Sequence, residues 1–271
     1  MENIKVSVIT VCYNAENDIE KTIKSVMGQI DCDFEFILKD GGSTDQTNKI
    51  INKYCDLYKQ DIITIRHIVK KDSGIYDAMN QAVEYAKGEW IIFINAGDTF
   101  YNNFVLRDVF QKIYRDEISL LYGHVVYELQ GNMDLISCFN LDNLDKEICY
   151  CHQAIFARRS LFKKYIFNLE YKILADYDWL LALKNDGKVF QNINIIISKY
   201  PRDGISATQM KKAYKEEQQI RKKYYPDFTV DDKPKFYGIK EKIRRFFPIL
   251  ADISYSFRQM HRIKKYVDDY D

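Results

Sequence analysis

Four times within its first hundred residues the chain runs an apolar, β-rich stretch into a short polar turn, and three of the four turns lead into residues spaced for a helix. Residues 5–13 (KVSVITVCY) lead through Asn14-Ala15-Glu16-Asn17 to Ile19, Ile23, Val26 and Met27, which recur on one helical face. Residues 34–38 stop at Lys39-Asp40-Gly41-Gly42-Ser43-Thr44-Asp45, after which Ile50, Ile51 and Tyr54 begin a second face. Residues 62–69 end at Lys70-Lys71-Asp72-Ser73-Gly74, followed by Ala78, Met79, Ala82, Val83 and Ala86. Residues 91–94 make a fourth strand that stops at Asn95-Ala96-Gly97-Asp98. Strands alternating with helices require right-handed crossovers and a parallel sheet, so the four turns fall on one edge. In open α/β sheets that edge is where ligands bind.

Beyond residue 100 the alternation loosens. Residues 120–129 and 189–200 read as strands, 177–184 and 210–224 as helices, and 154–162 as the start of a strand or helix. These segments are expected to extend the same sheet rather than build a separate domain, giving an α/β domain over residues 1–225. Residues 226–234 (PDFTVDDKP) read as a linker. After it, Ile249, Ile253, Phe257, Met260 and Ile263 form an apolar stripe opposite Arg258, Arg262, Lys264 and Lys265. Two readings of this basic aromatic extension (residues 226–271) stand side by side: residues 235–266 lie on an anionic membrane surface, or they pack on protein.

Charge and cysteine usage narrow the class. Forty basic side chains against 39 acidic ones leave a net charge of only +1, which speaks against a nucleic-acid partner. The six cysteines lack paired CxxC spacing, so reduced thiols in a cytoplasmic protein are expected rather than a zinc site or a disulfide framework. Residues 1–5 are charged and lead straight into a strand, so no signal peptide is expected. No uncharged run approaches the roughly 20 residues of a membrane span.

Asp40, Asp72 and Asp98 each follow a strand, so one edge collects carboxylates that repel one another unless they serve different partners or share a cation. A nucleotide-sugar meets that requirement: one carboxylate accepts hydrogen bonds from a base or ribose, and another holds a divalent cation against the diphosphate. The plainer reading of each turn is a capped strand end.

Four ordered motifs, residues 6–14 (VSVITVCYN), 40–45 (DGGSTD), 72–80 (DSGIYDAMN) and 95–98 (NAGD), together resemble the inverting family 2 glycosyltransferases of GT-A fold, most of all bacterial enzymes that build surface polysaccharides such as O-antigen and capsule. The likeness is strong over residues 4–100, weaker to about 208 and absent from the tail. It implies a Rossmann-like, mainly parallel central sheet flanked by helices, with residues 1–100 as the nucleotide-sugar half and 101–225 as the acceptor and catalytic half. It also implies that Thr10, Val11, Tyr13 and Asp40 line the base and ribose with Asp72, and that Asp98 ligates Mn²⁺ or Mg²⁺ with the donor diphosphate. Asn95 stands at the first position of the family's DxD motif and, with Ala96 and Gly97, contributes neutral contacts to the donor. Asp77 and Asn80 would reach donor-sugar hydroxyls. The family's base is a carboxylate after the central strands, which fits Asp176, with Asp178 as its rival.

The resemblance further sets His152-Gln153 near the acceptor or the donor phosphates, and Arg202 to Ser206 on a loop that closes over the donor. Trp179 is a candidate to stack on an acceptor sugar, or a core aromatic. The implied activity is transfer of a hexose-type sugar from a nucleotide-sugar, with UDP the expected nucleotide, to a lipid-linked or oligosaccharide acceptor. It takes place in the cytoplasm, on or near the inner membrane. Two other readings stay open. A nucleotidyltransferase on a related fold would carry a basic glycine-rich signature where residues 11–18 are VCYNAEND. A catalytically silent nucleotide-sugar or membrane-surface module requires Asp98 and Asp176 to face different places.

Overall fold

The computed structural model describes residues 4–59, 63–111, 114–128, 134–137, 140–145, 148, 150–201 and 209–227. The first hundred residues fold as β1 (Val6–Cys12), α1 (Ile19–Met27), β2 (Phe34–Asp40), α2 (Thr47–Leu57), β3 (Thr64–Val69), α3 (Ile75–Val83) and β4 (Trp90–Phe93). The four strands are parallel and lie in the order β3-β2-β1-β4. β1 and β2 are buried at every position, which is why both read as near-continuous apolar runs. α1 turns Ile19, Ile23, Val26 and Met27 inward and stops at Gly28. Gly88 lets β4 enter beside β1: a Cβ there would sit 2.4 Å from the Ser7 backbone nitrogen.

The second half joins the same sheet. β5 (Thr99–Phe100), α4 (Val105–Phe110), β6 (Ile118–Glu128), β7 (Asp134–Ser137), β8 (Ile155–Arg158), α5 (Ala175–Asn185), β9 (Val189–Pro201) and α6 (Met210–Tyr224) follow in chain order. β8 runs antiparallel between β4 and β6 and so stitches the two halves together. β9 is parallel to β6, β5 closes the edge against β9, and β7 pairs off the path with β6. Among the described residues the sheet has nine strands. β5, α4 and β7 had no counterpart in the sequence reading, because elements of two to six residues are too short for a period to show.

α5 is buried on nearly every side and ends at Gly187, whose φ of +68° suits a glycine. The Gly187 N–H donates to the Lys184 carbonyl and the Lys188 N–H to the Leu183 carbonyl, a Schellman closure. α6 packs on it. The buried Glu216 carboxylate accepts the backbone N–H groups of Lys172, Ile173 and Leu174, each at 2.9 Å, and so fixes the segment that enters α5. Of the two readings of Trp179, the structure places it in the core rather than against the acceptor cavity. It is 5% exposed, stacks on Phe162 at 5.1 Å and donates its indole N–H to the Tyr165 carbonyl at 3.1 Å. No helix among the described residues is long and apolar enough to cross a membrane. Residues 235–266, read from sequence as a membrane or docking element, lie outside the described residues.

Candidate active site

Residues 95–98 form a tight turn at the end of β4. The Asp98 N–H donates to the Asn95 carbonyl at 2.9 Å and Gly97, in the third position, has φ of +99°, a conformation that favours glycine. α1 clamps the turn: the Thr22 hydroxyl accepts the Gly97 N–H at 3.0 Å and donates to the Asp98 carbonyl at 2.8 Å. The Asp98 carboxylate is 7% exposed. Burial pushes its pKa up to about 6, against the opposing pull of a hydrogen bond from Gln153 and the nearby His152. Gln153 Nε2 donates to Asp98 Oδ2 at 3.0 Å.

Across from this turn, Asp176 is the second residue of α5. Its Oδ1 accepts the Tyr150 hydroxyl at 2.8 Å and the Tyr177 N–H at 3.0 Å. The Tyr76 hydroxyl lies 2.9 Å from the same oxygen and shares its single proton with the Ile173 carbonyl at 2.6 Å. Asp176 Oδ2 lies 3.2 Å from His152 Nδ1, and His152 Nε2 lies 3.0 Å from Asn95 Nδ2. Asn95, Asp98, His152, Gln153 and Asp176 all line one cavity of about 550 Å³, with Lys21 and Lys172 on its wall.

A second cavity, of about 700 Å³, adjoins the first along Asp18, Ile75, Asn95 and Ala96. Val11, Tyr13, Gly41 and Asp72 line it. The Tyr13 ring is 62% exposed, so one face is open to stacking. Asp72 Oδ2 pairs at 2.7 Å with Lys39, a fully buried lysine whose Nζ also reaches the Lys70 carbonyl at 2.6 Å and the Asp40 carbonyl at 3.2 Å. Three acceptors satisfy the three N–H bonds of that buried ammonium. Gly41 is needed for close approach, since a Cβ there would lie 2.8 Å from Asp72 Oδ2.

Several residues singled out from the sequence face elsewhere. Thr10 is buried in the sheet and donates its hydroxyl to the Ile94 carbonyl at 2.5 Å. Asp40 organises its own loop: Oδ1 accepts the N–H groups of Gly42 (2.8 Å) and Ser43 (2.7 Å), and Oδ2 the Ser43 hydroxyl. Burial raises its pKa, but these bonds outweigh burial and hold the carboxyl below the usual range. Asp77 accepts the Ser73 N–H at 2.7 Å at the start of α3, and Asn80 clamps the Phe167 backbone through both amide atoms. Asp178 turns towards α6 and pairs with Lys223 at 2.7 Å. Arg202 and Ser206 lie outside the described residues. Conversely, Lys39, Thr22, Tyr76 and Tyr150 hold the site together, yet none stood out in the sequence.

Among the described residues no three His, Cys, Asp or Glu side chains gather to hold a metal. The turn does carry two hard oxygens, the Asp98 carboxylate and Asn95 Oδ1, a buried amide oxygen with no hydrogen-bond partner among the described residues. That donor set fits a Mg²⁺ or Mn²⁺ held by one carboxylate plus substrate phosphates and water, rather than an all-protein cage.

Comparison with known proteins identifies the family and the fold. Residues 7–165 match glycosyl transferase family 2. A PGL/p-HBAD biosynthesis glycosyltransferase of Mycobacterium bovis is 34% identical over 212 residues, covering 77% of this chain and 81% of that protein. The Escherichia coli UDP-Glc:alpha-D-GlcNAc-diphosphoundecaprenol beta-1,3-glucosyltransferase WfgD is 27% identical over 220 residues, 78% of this chain and 83% of that one. In fold, the chain is similar to S. aureus TarS 1-349 in complex with UDP, with a TM-score of 0.65, 20% identity, and coverage of 91% of this chain and 72% of that chain. Other structural neighbours were crystallised with UDP and Mn²⁺ or Mg²⁺.

Proposed function

The chain belongs to glycosyl transferase family 2, and from that premise we propose that it moves a hexose-type sugar, with inversion, from a UDP-sugar to a lipid-linked glycan acceptor. The observation that carries this reading is that Asp98 and Asp176 line one cavity, bridged by His152 and Gln153. A silent binding module has no need of such a pairing. The UDP-Glc donor and GlcNAc-diphosphoundecaprenol acceptor of WfgD support the choice of UDP and of a lipid diphosphate acceptor.

The two cavities divide the work. The larger takes the nucleotide, with the base against the open face of Tyr13 and its polar edge at Asp72. The diphosphate then reaches the turn at Asn95 to Asp98, where the cavities meet. A Mn²⁺ or Mg²⁺ held there by Asp98 and Asn95 would supply charge to offset the departing diphosphate. The acceptor enters the smaller cavity and sets its hydroxyl against Asp176. As the hydroxyl oxygen bonds to the anomeric carbon, Asp176 takes its proton and the bond from that carbon to the diphosphate breaks on the opposite face. With Asp98 engaged at the diphosphate and Asp176 facing the acceptor as its base, the reaction is one displacement and hence inverts. Residues 235–266 would bring the enzyme to the cytoplasmic face of the membrane that carries the acceptor.

The nucleotide assignment is tested by thermal unfolding with a panel of nucleotide-sugars, with and without Mn²⁺. A ligand bound only by the native state at 100 times its Kd adds about 2.7 kcal/mol of stability. A UDP-hexose is expected to raise the melting temperature most, and more so with Mn²⁺. Stabilisation by another nucleotide alone would reassign the larger cavity.

A further inference from the structure

His152 and Gln153 sit on a single 3-10 turn (His152–Ala154) between the two carboxylates, and their side chains diverge. Gln153 goes to Asp98 and His152 to Asp176. The far side of the imidazole meets Asn95 Nδ2, and an amide nitrogen only donates. The Asp176 carboxylate on the near side only accepts, so the ring proton sits on Nδ1 and is donated to Asp176 Oδ2, and the bare Nε2 is free to accept from Asn95. An unbroken chain of hydrogen bonds thus runs from the Asn95 turn to the carboxylate. On Asp176, Oδ1 is surrounded by the Tyr150 hydroxyl, the Tyr177 N–H and the shared Tyr76 hydroxyl. Among the described residues Oδ2 meets only His152, so it is the oxygen with acceptor capacity to spare.

We propose that His152 is a positioning residue for the transfer reaction: as its Nδ1–H tautomer it presents Asp176 Oδ2 to the acceptor hydroxyl and ties that oxygen to the Asn95–Asp98 turn. The inference rests on the reading of Asp176 as the base. The distance between leaving group and base is then set by one imidazole, rather than left to two separate loops. His152 does not itself take the substrate proton. Its work is to fix which carboxylate oxygen does, a preorganisation that outer-shell partners of an active group commonly supply.

Two measurements test this. The first needs no substrate: ¹⁵N NMR of histidine-labelled protein, with His152 identified by its loss in His152→Asn. The protein is expected to show Nδ1 protonated and Nε2 bare, and Asp176→Asn, which can offer an amide donor in place of the carboxylate, is expected to shift the proton towards Nε2, with the Asn95 amide turned so that its oxygen accepts it. A wild-type Nε2–H tautomer overturns the inference. The second is a kinetic comparison using a UDP-hexose and a GlcNAc-diphospholipid acceptor. His152→Leu is expected to lower kcat about 10- to 100-fold, the usual cost of losing an outer-shell partner, while the Kd for UDP holds. His152→Asn places an amide N–H near the former Nδ1 position and is expected to recover most of that loss, which a merely structural role would not predict. Full kcat in His152→Leu, an asparagine variant no better than leucine, or a Kd for UDP that weakens in step with kcat each overturns the inference. Asp176→Asn assayed alongside separates the two claims: wild-type turnover there removes the base assignment itself, and the His152 inference with it.

Discussion

Replacing Asp176 with asparagine lowers the rate of transfer by roughly 10²- to 10⁴-fold, the span of general acid–base catalysis, and leaves UDP binding intact. Asparagine matches aspartate in shape, so its carbonyl still accepts from Tyr150 and from the Tyr177 N–H, and the start of α5 keeps its place. What changes is the group facing His152 and the acceptor, where an amide nitrogen that cannot take a proton replaces a carboxylate oxygen. Asp176 lines the smaller cavity and not the larger one, so the nucleotide site is untouched. Steady-state kinetics paired with UDP titration check this. A variant that turns over normally would take the base role away from Asp176. Asp178 would not inherit it, because its carboxylate faces Lys223 on α6.

Asp98→Asn removes the Mn²⁺-dependent part of UDP affinity, by roughly 10²-fold, within the several kcal/mol that a metal's charge contributes at a phosphate. The variant keeps an oxygen to accept from Gln153, so the turn survives. The same substitution is expected to raise the melting temperature of the metal-free protein at pH 7. Burial lifts the folded-state pKa of Asp98 to about 6, above its unfolded value, so the ionised carboxylate costs stability above that pH. The penalty sets in as pH rises from about 4 through about 6, so the advantage of asparagine is expected to shrink as pH falls from about 6 and to be gone below about 4. Unfolding followed at several pH values, together with UDP titrations with and without Mn²⁺, reads both effects. Equal UDP affinity in the two proteins with Mn²⁺ present would remove Asp98 from the metal site.

Gain in stability and loss of ligand binding on one substitution is the signature of a group placed for function at the expense of the fold. The partnerless Asn95 Oδ1 on the same turn is a second such cost.

Which parts of this were legible in the sequence follows from how far each partner lies along the chain. The parallel half of the sheet shows itself because β1 and β2 are buried on both faces and alternate with helices. Handedness then places the turns at residues 40–45, 72–74 and 95–98 on one edge. A strand-end position does not say which way a carboxylate points. Asp40 bends back onto Ser43, three residues on, whereas Asp72 and Asp98 reach the cavities. On α5 the choice between Asp176 and Asp178 was open to geometry, since two residues on an α-helix are separated by about 200° and cannot face one cavity together. Tyr76 and Tyr150 left no local trace, because they meet Asp176 from 100 and 26 residues away. Lys39 reads in the sequence as the first residue of a polar turn, yet it is the next-to-last residue of β2 and fully buried beneath Asp72.

The central claim is that Asp176 and the Asn95–Asp98 turn act from opposite sides of one sugar. The stereochemistry of the product tests it most directly. With a UDP-α-hexose as donor and a GlcNAc-diphospholipid as acceptor, proton NMR of the purified product reads the anomeric configuration of the new bond. A β linkage is the predicted result, and an α linkage would contradict single displacement by a base at Asp176.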